Sequence, residues 1–298
     1  MKTSLVVPAF NEEKAIGAVI QEYYSFVDEI IVVDDGSSDK TYQIASDLSD
    51  GKVSVSRHDK NQGKVGALIT GVRKATGDII IFTDADCTYP ARYIPDFIKE
   101  LTKGADLVLG SRIIESHNIP LFNRFGNAVF SILATYISGK EILDGQTGMR
   151  AFRKDMFNSL SVKAKSLEFE TKMTVRAAKL GYNIVEIPIE YRERVGISKL
   201  HPVRDGYRML RALLSIAWYE TSPLAKMISA PGILVSFVGL FFGLYSLYER
   251  ITHYHLVHEY YPLISVFLIL FGVQLTSIGL IIDYLTKKLD RIEEKMRR

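Results

Sequence analysis

Asp84 and Asp86 flank Ala85 in the run Thr83-Asp84-Ala85-Asp86, and no lysine or arginine stands near them to neutralise the pair. Two hard oxygen donors at this spacing suit Mg2+ or Mn2+, which takes one or two carboxylates and completes its shell with phosphate oxygens and water. A solvated turn is the alternative. Two further polar clusters lie upstream, Pro8-Ala9-Phe10-Asn11-Glu12-Glu13 and Asp34-Asp35-Gly36-Ser37-Ser38-Asp39. Helix N-capping accounts for Asn11 and Asp39, and Asp34-Asp35-Gly36 also reads as an ordinary turn. Asn61-Gln62-Gly63-Lys64 opens a helix but is no Walker loop, because His58 stands where that motif needs glycine. A helix start carrying Gly and Lys can still face an anion. Cys87, the one cysteine, adjoins the acidic pair; sulfur suits such a metal poorly, so it reads as packing.

The elements around these clusters must bring them together. Ser4–Val7, Glu29–Val33, Val53–Arg57, Ile79–Thr83 and Leu107–Gly110 read as strands, and Glu12–Phe26, Lys40–Leu48, Lys64–Ala75 and Ala91–Leu101 as helices between them. This alternation predicts a mostly parallel sheet covered by helices on both faces. Ligands of such sheets bind beyond the carboxyl ends of the strands. All three acidic or polar clusters follow strands directly, so they should line one cleft.

The 298 residues hold 37 Lys and Arg against 34 Asp and Glu, a net charge of +3, with 47% hydrophobic residues. That balance argues against a nucleic-acid partner, and a lone cysteine excludes a disulfide scaffold. Hydrophobicity is concentrated in Met227–Tyr248 and Tyr260–Ile282, two stretches without a charge. As helices each would reach roughly 33–35 Å, the thickness of a bilayer core. A buried helical pair is the alternative to two transmembrane spans. Gly239, Gly243, Gly272 and Gly279 would allow close helix pairing. The intervening loop carries a single Lys or Arg, Arg250, whereas Arg208, Arg211 and Lys226 precede the first stretch and Lys287, Lys288, Arg291, Lys295, Arg297 and Arg298 follow the second. The positive-inside rule then puts both termini and the domain before the first stretch in the cytoplasm of a multi-pass cell-membrane protein. MKTSLVVPAF is too short for a signal peptide and breaks at Pro8. The expected division is residues 1–200 as the α/β domain, 201–225 as an interfacial amphipathic segment, 226–284 as two spans and 285–298 as a basic tail.

VVPAFNEE, VVDDGSSDKT, NQGKVGA, FTDADCTYP and LVLGSR occur in an order and at a spacing that resemble the inverting glycosyltransferases of family 2, which have the GT-A fold. DGQTGMRAF, LEFET, EIPIEYRERVGISKL and the two terminal stretches are similar to the polyprenyl-phosphate hexosyltransferases of the dolichyl-phosphate mannose synthase type. The resemblance implies a GT-A (Rossmann-like, mostly parallel) cytosolic domain with interfacial helices and a C-terminal transmembrane hairpin. It implies transfer of a hexose from a UDP- or GDP-sugar to a polyprenyl (dolichyl) phosphate, with Mg2+ or Mn2+ as cofactor. Pro8, Phe10, Glu12, Val33 and Asp35 would hold the base and ribose of the donor; Asp84 and Asp86 would bind the metal, with the Ala85 backbone near the nucleotide. Arg112 and Arg124 would meet the lipid phosphate or donor diphosphate, and Arg192 and Ser198 would belong to a loop closing over the phosphates. Mannose synthases of this type often carry Gln where Thr88 stands, which weakens a mannose assignment.

A phosphate acceptor is already anionic and needs no strong general base. Transfer to a hydroxyl would need one, and Glu168 or Glu170 is the candidate; exposed residues at the start of a helix Glu168–Leu180 are the alternative. The segment Tyr207–Trp218 is amphipathic, with Arg208, Arg211 and Trp218 placed for a lipid headgroup region, and the apolar run Phe122–Ile137 lies either on the membrane or in the core. Processive polysaccharide synthases carry Q-x-x-R-W, which the sole tryptophan, in Ser215-Ile216-Ala217-Trp218, does not match. A non-catalytic membrane scaffold and a homo-oligomer both remain open at this point.

Overall fold

The computed structural model describes residues 1–112, 141–160, 168–196, 221–254 and 257–297, with scattered positions within 128–139 and 207–218. The chain divides into two compact units, Met1–Leu214 and Ser215–Arg298.

In the first unit β1 (Thr3–Ala9), β2 (Glu29–Asp34), β3 (Val53–Arg57) and β4 (Ile79–Phe82) alternate with α1 (Ile16–Tyr23), α2 (Thr41–Asp47) and α3 (Lys64–Lys74). A 3-10 turn, Ala91–Tyr93, leads into α4 (Ile94–Thr102) and β5 (Leu107–Ser111). After them come β6 (Arg150–Arg153), α5 (Lys154–Leu160), α6 (Glu168–Lys179) and β7 (Ile184–Pro188). The strand order is β3-β2-β1-β4-β6-β5-β7, parallel throughout except for β6, which runs antiparallel between β4 and β5. The IIIF run of β4 is buried along its whole length, as a strand covered on both faces must be.

Alternate strand residues feed two cores. Leu5, Val7, Ile30, Val32, Ile79 and Ile81 pack under α1 and α4 through Ile16, Ile20, Ile94 and Phe97. Val6, Ile31, Val33, Ile80 and Phe82 pack on the other face against Val65, Leu68 and Val72 of α3 and Phe169 and Met173 of α6. Helix α3 comes so close to β1 that a methyl at Gly71 would fall inside the Val6 side chain. Gly71→Ala is therefore expected to cost about 1–3 kcal/mol by overpacking. A lowered thermal midpoint of the purified protein would register it; an unchanged midpoint would mean that α3 shifts freely over the sheet.

The five strands expected between residues 4 and 110 are present, each within two residues of its expected ends. Helix α1 starts at Ile16 rather than Glu12, because Asn11 is left-handed (φ 52°) and the Glu12 carbonyl closes a turn onto Ala15 and Ile16. Strands β6 and β7 were not expected. RAFR is four residues long with a charge at each end, and Arg150 is fully buried, its guanidinium donating to the carbonyls of Thr147 and Glu170.

The second unit contains α7 (Pro223–His253) and α8 (Tyr261–Arg297). Both are long and apolar enough to cross a membrane, over Pro223–His253 and Tyr261–Thr286, at mean hydropathy 2.0 and 2.3. Only 17% of each apolar window is buried, so the pair is not a core element; Phe237, Phe241, Phe267 and Leu270 are exposed. The glycines do mediate the contact: a Cβ at Gly239 would meet Ile269, at Gly243 Ser265, at Gly272 Ser236 and at Gly279 Ser229. Ser222 caps α7, accepting from the Ala225 amide, while its own amide donates to buried Asp283 on α8. The basic residues from Lys287 to Arg297 continue α8 as helix. The run Phe122–Ile137 and the segment Tyr207–Trp218 lie mostly outside the described residues.

Candidate active site

The chain order reverses at β1: β2 and β3 lie to one side of it and β4 to the other. A crevice opens at such a switch point beyond the strand ends. The tips of β1 and β2 are tied together there. The Asn11 amide donates to Ser37 Oγ at 2.9 Å, Asn11 Oδ1 accepts from the Ser38 amide at 2.8 Å, and the Glu12 amide donates to Thr41 Oγ1 at 2.8 Å. Asn11 thus joins two loops instead of capping a helix. Asp39 behaves nearer to expectation, its Oδ1 accepting from the Thr41 amide at the start of α2.

Pro8 and Val33 pair on one rung of the sheet. Val33 is fully buried in the α3-side core, so only its backbone is available to a ligand. Phe10 is half-buried and Glu12 is buried. Asp34 faces Arg57 Nε at 3.0 Å. Asp35 is buried and organises the Asn61–Lys64 turn: it accepts from the amides of Gln62 at 2.9 Å and Gly63 at 2.8 Å, and pairs with His58 Nδ1 at 2.7 Å. That turn aims Lys64 at the end of β4.

Lys64 Nζ lies 2.6 Å from Asp84 Oδ1 and 2.9 Å from Glu170 Oε1. Asp86 Oδ1 accepts from Thr88 Oγ1 at 2.6 Å, and its Oδ2 lies 3.4 Å from Arg194, which also reaches Glu12 at 3.1 Å. The expectation that no Lys or Arg neutralises the acidic pair is therefore corrected. The cations arrive from the start of α3 and from the loop after β7, elements remote in sequence. That loop lies along the acidic segment, with the Arg192 amide donating to the Thr88 carbonyl and the Val195 amide to the Asp86 carbonyl. Glu170 is buried, not an exposed helix residue; Glu168 begins α6.

Burial pushes the Asp84 carboxyl up, but Lys64 beside it prevails and holds it below the usual carboxylate range. Burial, reinforced by the Asp84 charge, pushes Asp86 up. Two adjacent carboxylates moved in opposite directions form a coupled pair of the kind found at functional sites. Among the described residues no three His, Cys, Asp or Glu side chains converge as a metal cage. Asp84 and Asp86 nonetheless fit a hard divalent cation that draws its other ligands from a diphosphate. Glycine keeps space beside them, since a Cβ at Gly148 would lie 2.5 Å from Asp84 Oδ2. Cys87 (φ 64°) packs toward α1, its Sγ 3.8 Å from the Ala15 carbonyl.

Arg112 follows β5 and is nearly buried. Its Nε and Nη2 fork onto Asp144 at 2.7 and 2.8 Å, and its guanidinium lies 5.3 Å from the Tyr191 ring centroid. Its charge contributes to lowering Asp84. Arg192, by contrast, points to Glu22 on α1 at 3.1 Å from both carboxylate oxygens. Arg124 and Ser198 lie outside the described residues. Asp144 and Arg194 are side chains the sequence reading missed, whereas Lys64, read as able to face an anion, and Glu170, read as a candidate base, pair with each other here. For Arg194 the visible signal was the second arginine of Arg192-Glu193-Arg194.

A reversing α/β sheet with paired carboxylates at the switch point, bordered by lysine and arginines, is the architecture of a GT-A sugar-transferring enzyme. The model of glycosyl transferase family 2 matches residues 4–161, and the chain belongs to that family and is a glycosyltransferase. It is 33% identical over 221 residues to the dolichyl-phosphate hexose transferase of Haloferax volcanii, covering 73% of this chain and 94% of the relative. It is 30% identical to the prophage bactoprenol glucosyl transferase homolog of Escherichia coli K12, covering all of this chain and 97% of the relative. Among solved structures, the glucosyl-3-phosphoglycerate synthase of Mycobacterium tuberculosis in complex with Mn2+, UDP and phosphoglyceric acid superposes with TM-score 0.58 at 22% identity, over 74% of this chain and 78% of that one.

Proposed function

We propose that this glycosyltransferase moves a hexose, with inversion, from a UDP- or GDP-sugar to the phosphate of a polyprenyl (dolichyl) phosphate at the cytoplasmic face of the membrane. The observation that carries the reading is Asp84 and Asp86 at the switch point, bordered by Lys64 and Arg194 with Arg112 near Asp84. The names of the Haloferax and Escherichia relatives support a lipid-phosphate acceptor. The apolar pair α7 and α8 supports an anchor that keeps the enzyme where such an acceptor resides. The distribution of Lys and Arg supports cytoplasmic termini.

In this reading Pro8, Phe10, Glu12, Asp35 and the backbones of Val33 and Ala85 hold the nucleotide, and Arg192 and Ser198 sit in the loop over its phosphates. Asp84 and Asp86 hold Mg2+ or Mn2+, which supplies charge stabilisation to the leaving diphosphate. Arg194 and Lys64 add fixed positive charge at the same place. Arg112 and Arg124 receive the acceptor phosphate. Its oxygen forms the new bond to the anomeric carbon as the bond to the donor's β-phosphate oxygen breaks. The acceptor is anionic at neutral pH, so no proton need be removed. Glu170, committed to Lys64, is poorly disposed as a base for a hydroxyl acceptor.

A panel of UDP- and GDP-sugars offered with polyprenyl phosphate to the detergent-purified chain tests this, with lipid-linked sugar as the readout. No product from any donor would overturn it, and product formed only on a lipid hydroxyl would replace the acceptor. Chelation with EDTA is expected to remove transfer, about a hundredfold or more, and Mn2+ or Mg2+ to restore it. Full activity in EDTA would end the metal assignment.

A further inference from the structure

Arg112 is held by a chain of contacts that its proposed role does not explain. Both its Nε and Nη2 are spent on Asp144, and its backbone amide donates to the same carboxylate at 3.2 Å. Only Nη1 stands outside this fork. Asp144 is buried and fixed in turn: Glu186 on β7 accepts from the amides of Leu143 at 2.8 Å and Asp144 at 2.9 Å. The same short turn is gripped from the other side. Ser131 Oγ donates to the Leu143 carbonyl at 2.9 Å, and Thr135 Oγ1 accepts from the Ile142 amide at 3.0 Å. Tyr191 lies beneath the guanidinium, and Tyr89, edge-on to Tyr191, accepts from the Gly148 amide at the far end of the turn.

A bidentate Arg–carboxylate pair fixes the plane of the guanidinium as well as its position. A lone arginine beside a charged ligand would search many rotamers; this one is held in a single orientation. Burying Asp144 beside the half-buried Glu186 at one turn is costly without compensation, and burial and Asp144 do push Glu186 up. Arg112 offsets that cost at Asp144, and Glu186 is tied to the pair through the Asp144 amide.

We propose that Asp144 is a positioning residue for the acceptor phosphate, acting through Arg112, with Glu186 holding the turn that carries Asp144. The inference rests on the reading of Arg112 as an acceptor-phosphate residue. Ser131 and Thr135 belong to the apolar stretch 122–137, so the same turn links that stretch to the orientation of Arg112.

The test is a double-mutant cycle on lipid-linked sugar formation, with polyprenyl phosphate and nucleotide sugar varied separately. Asp144→Asn puts an amide N–H2 where one fork oxygen stood. It is expected to raise KM for polyprenyl phosphate about 10–100-fold while KM for the donor stays within about threefold. In an Arg112→Ala background Asp144→Asn should add less than about twofold, because its partner is already gone. Glu186→Gln, the milder variant, should shift the same KM about threefold or more and likewise lose its effect without Arg112; it carries the test if Asp144→Asn does not fold. Penalties that multiply across the cycle, or that fall equally on both substrates, would overturn the inference and leave Asp144 a purely structural residue. If Arg112→Ala raises KM for the lipid phosphate and neither Asp144→Asn nor Glu186→Gln does, the inference fails and the reading of Arg112 stands. If Arg112→Ala leaves that KM unchanged, the reading of Arg112 fails first.

Discussion

Asp86→Asn is expected to lower kcat for sugar transfer by about a thousandfold, equivalent to about 4 kcal/mol of transition-state stabilisation, without unfolding the chain. The substitution is isosteric. Thr88, which donates to Oδ1 from both its amide and its hydroxyl, can keep both bonds with the amide oxygen in that position. Only the charge facing Arg194 is lost. A fall in kcat with an unchanged thermal midpoint would separate loss of chemistry from loss of fold. Asp84→Asn should behave differently. It removes the closer partner of Lys64, leaving that ammonium to Glu170 alone, and breaking one side of a partly buried ion pair costs stability as well as rate. The combination expected is therefore an activity loss of similar size for both variants, with a lowered thermal midpoint for Asp84→Asn only. An Asp86→Asn enzyme with kcat within about tenfold of the parent would show that this carboxylate is not at the reacting centre.

The parts of this site that lie in one stretch of chain were legible in the sequence. The tips of β1, β2 and β4 follow unbroken apolar strands, and a parallel sheet brings such tips to one edge. The paired carboxylates stood out because nothing beside them in the chain neutralised them. The same observation misled, since neighbours in sequence say nothing of Lys64 and Arg194, which arrive on α3 and on the loop after β7. Strand β6 was illegible for a related reason. Its central residues are only Ala151 and Phe152, and a fully buried arginine at its start contradicts the usual pattern of a core strand. Arg150 is tolerated there because carbonyls of two separate segments accept its N–H groups, a circumstance that only the folded chain creates. The two long apolar helices were legible because hydropathy needs no partner to be read.

Arg194→Met, compared with Arg192→Met, separates what the family motif implies from what the geometry supports. The resemblance drew attention to Arg192, yet its guanidinium pairs with Glu22 on α1 and remains about one-third exposed. Ion pairs of that exposure contribute at most about 1 kcal/mol, so Arg192→Met is expected to change kcat by no more than about fivefold. Arg194 sits between Asp86 and Glu12, and its buried Nε has no hydrogen-bond partner among the described residues. Its loop is held to the acidic segment by backbone bonds at Arg192 and Val195, which bracket it. An arginine so fixed, with a buried donor still unsatisfied, is suited to an incoming diphosphate oxygen. Its removal also leaves Asp86 and Glu12 to repel one another across a shared space. Arg194→Met should therefore lower kcat about 100–1,000-fold, the effect of deleting one electrostatic contact to a charged transition state. Arg194→Lys should recover only part of this, because an ammonium can take the place of Nη2 between the two carboxylates but has no counterpart to the unsatisfied Nε–H. If Arg192→Met proves the more damaging of the two, the loop must rearrange when the donor binds, and the motif, not this geometry, identifies the arginine that meets the phosphates.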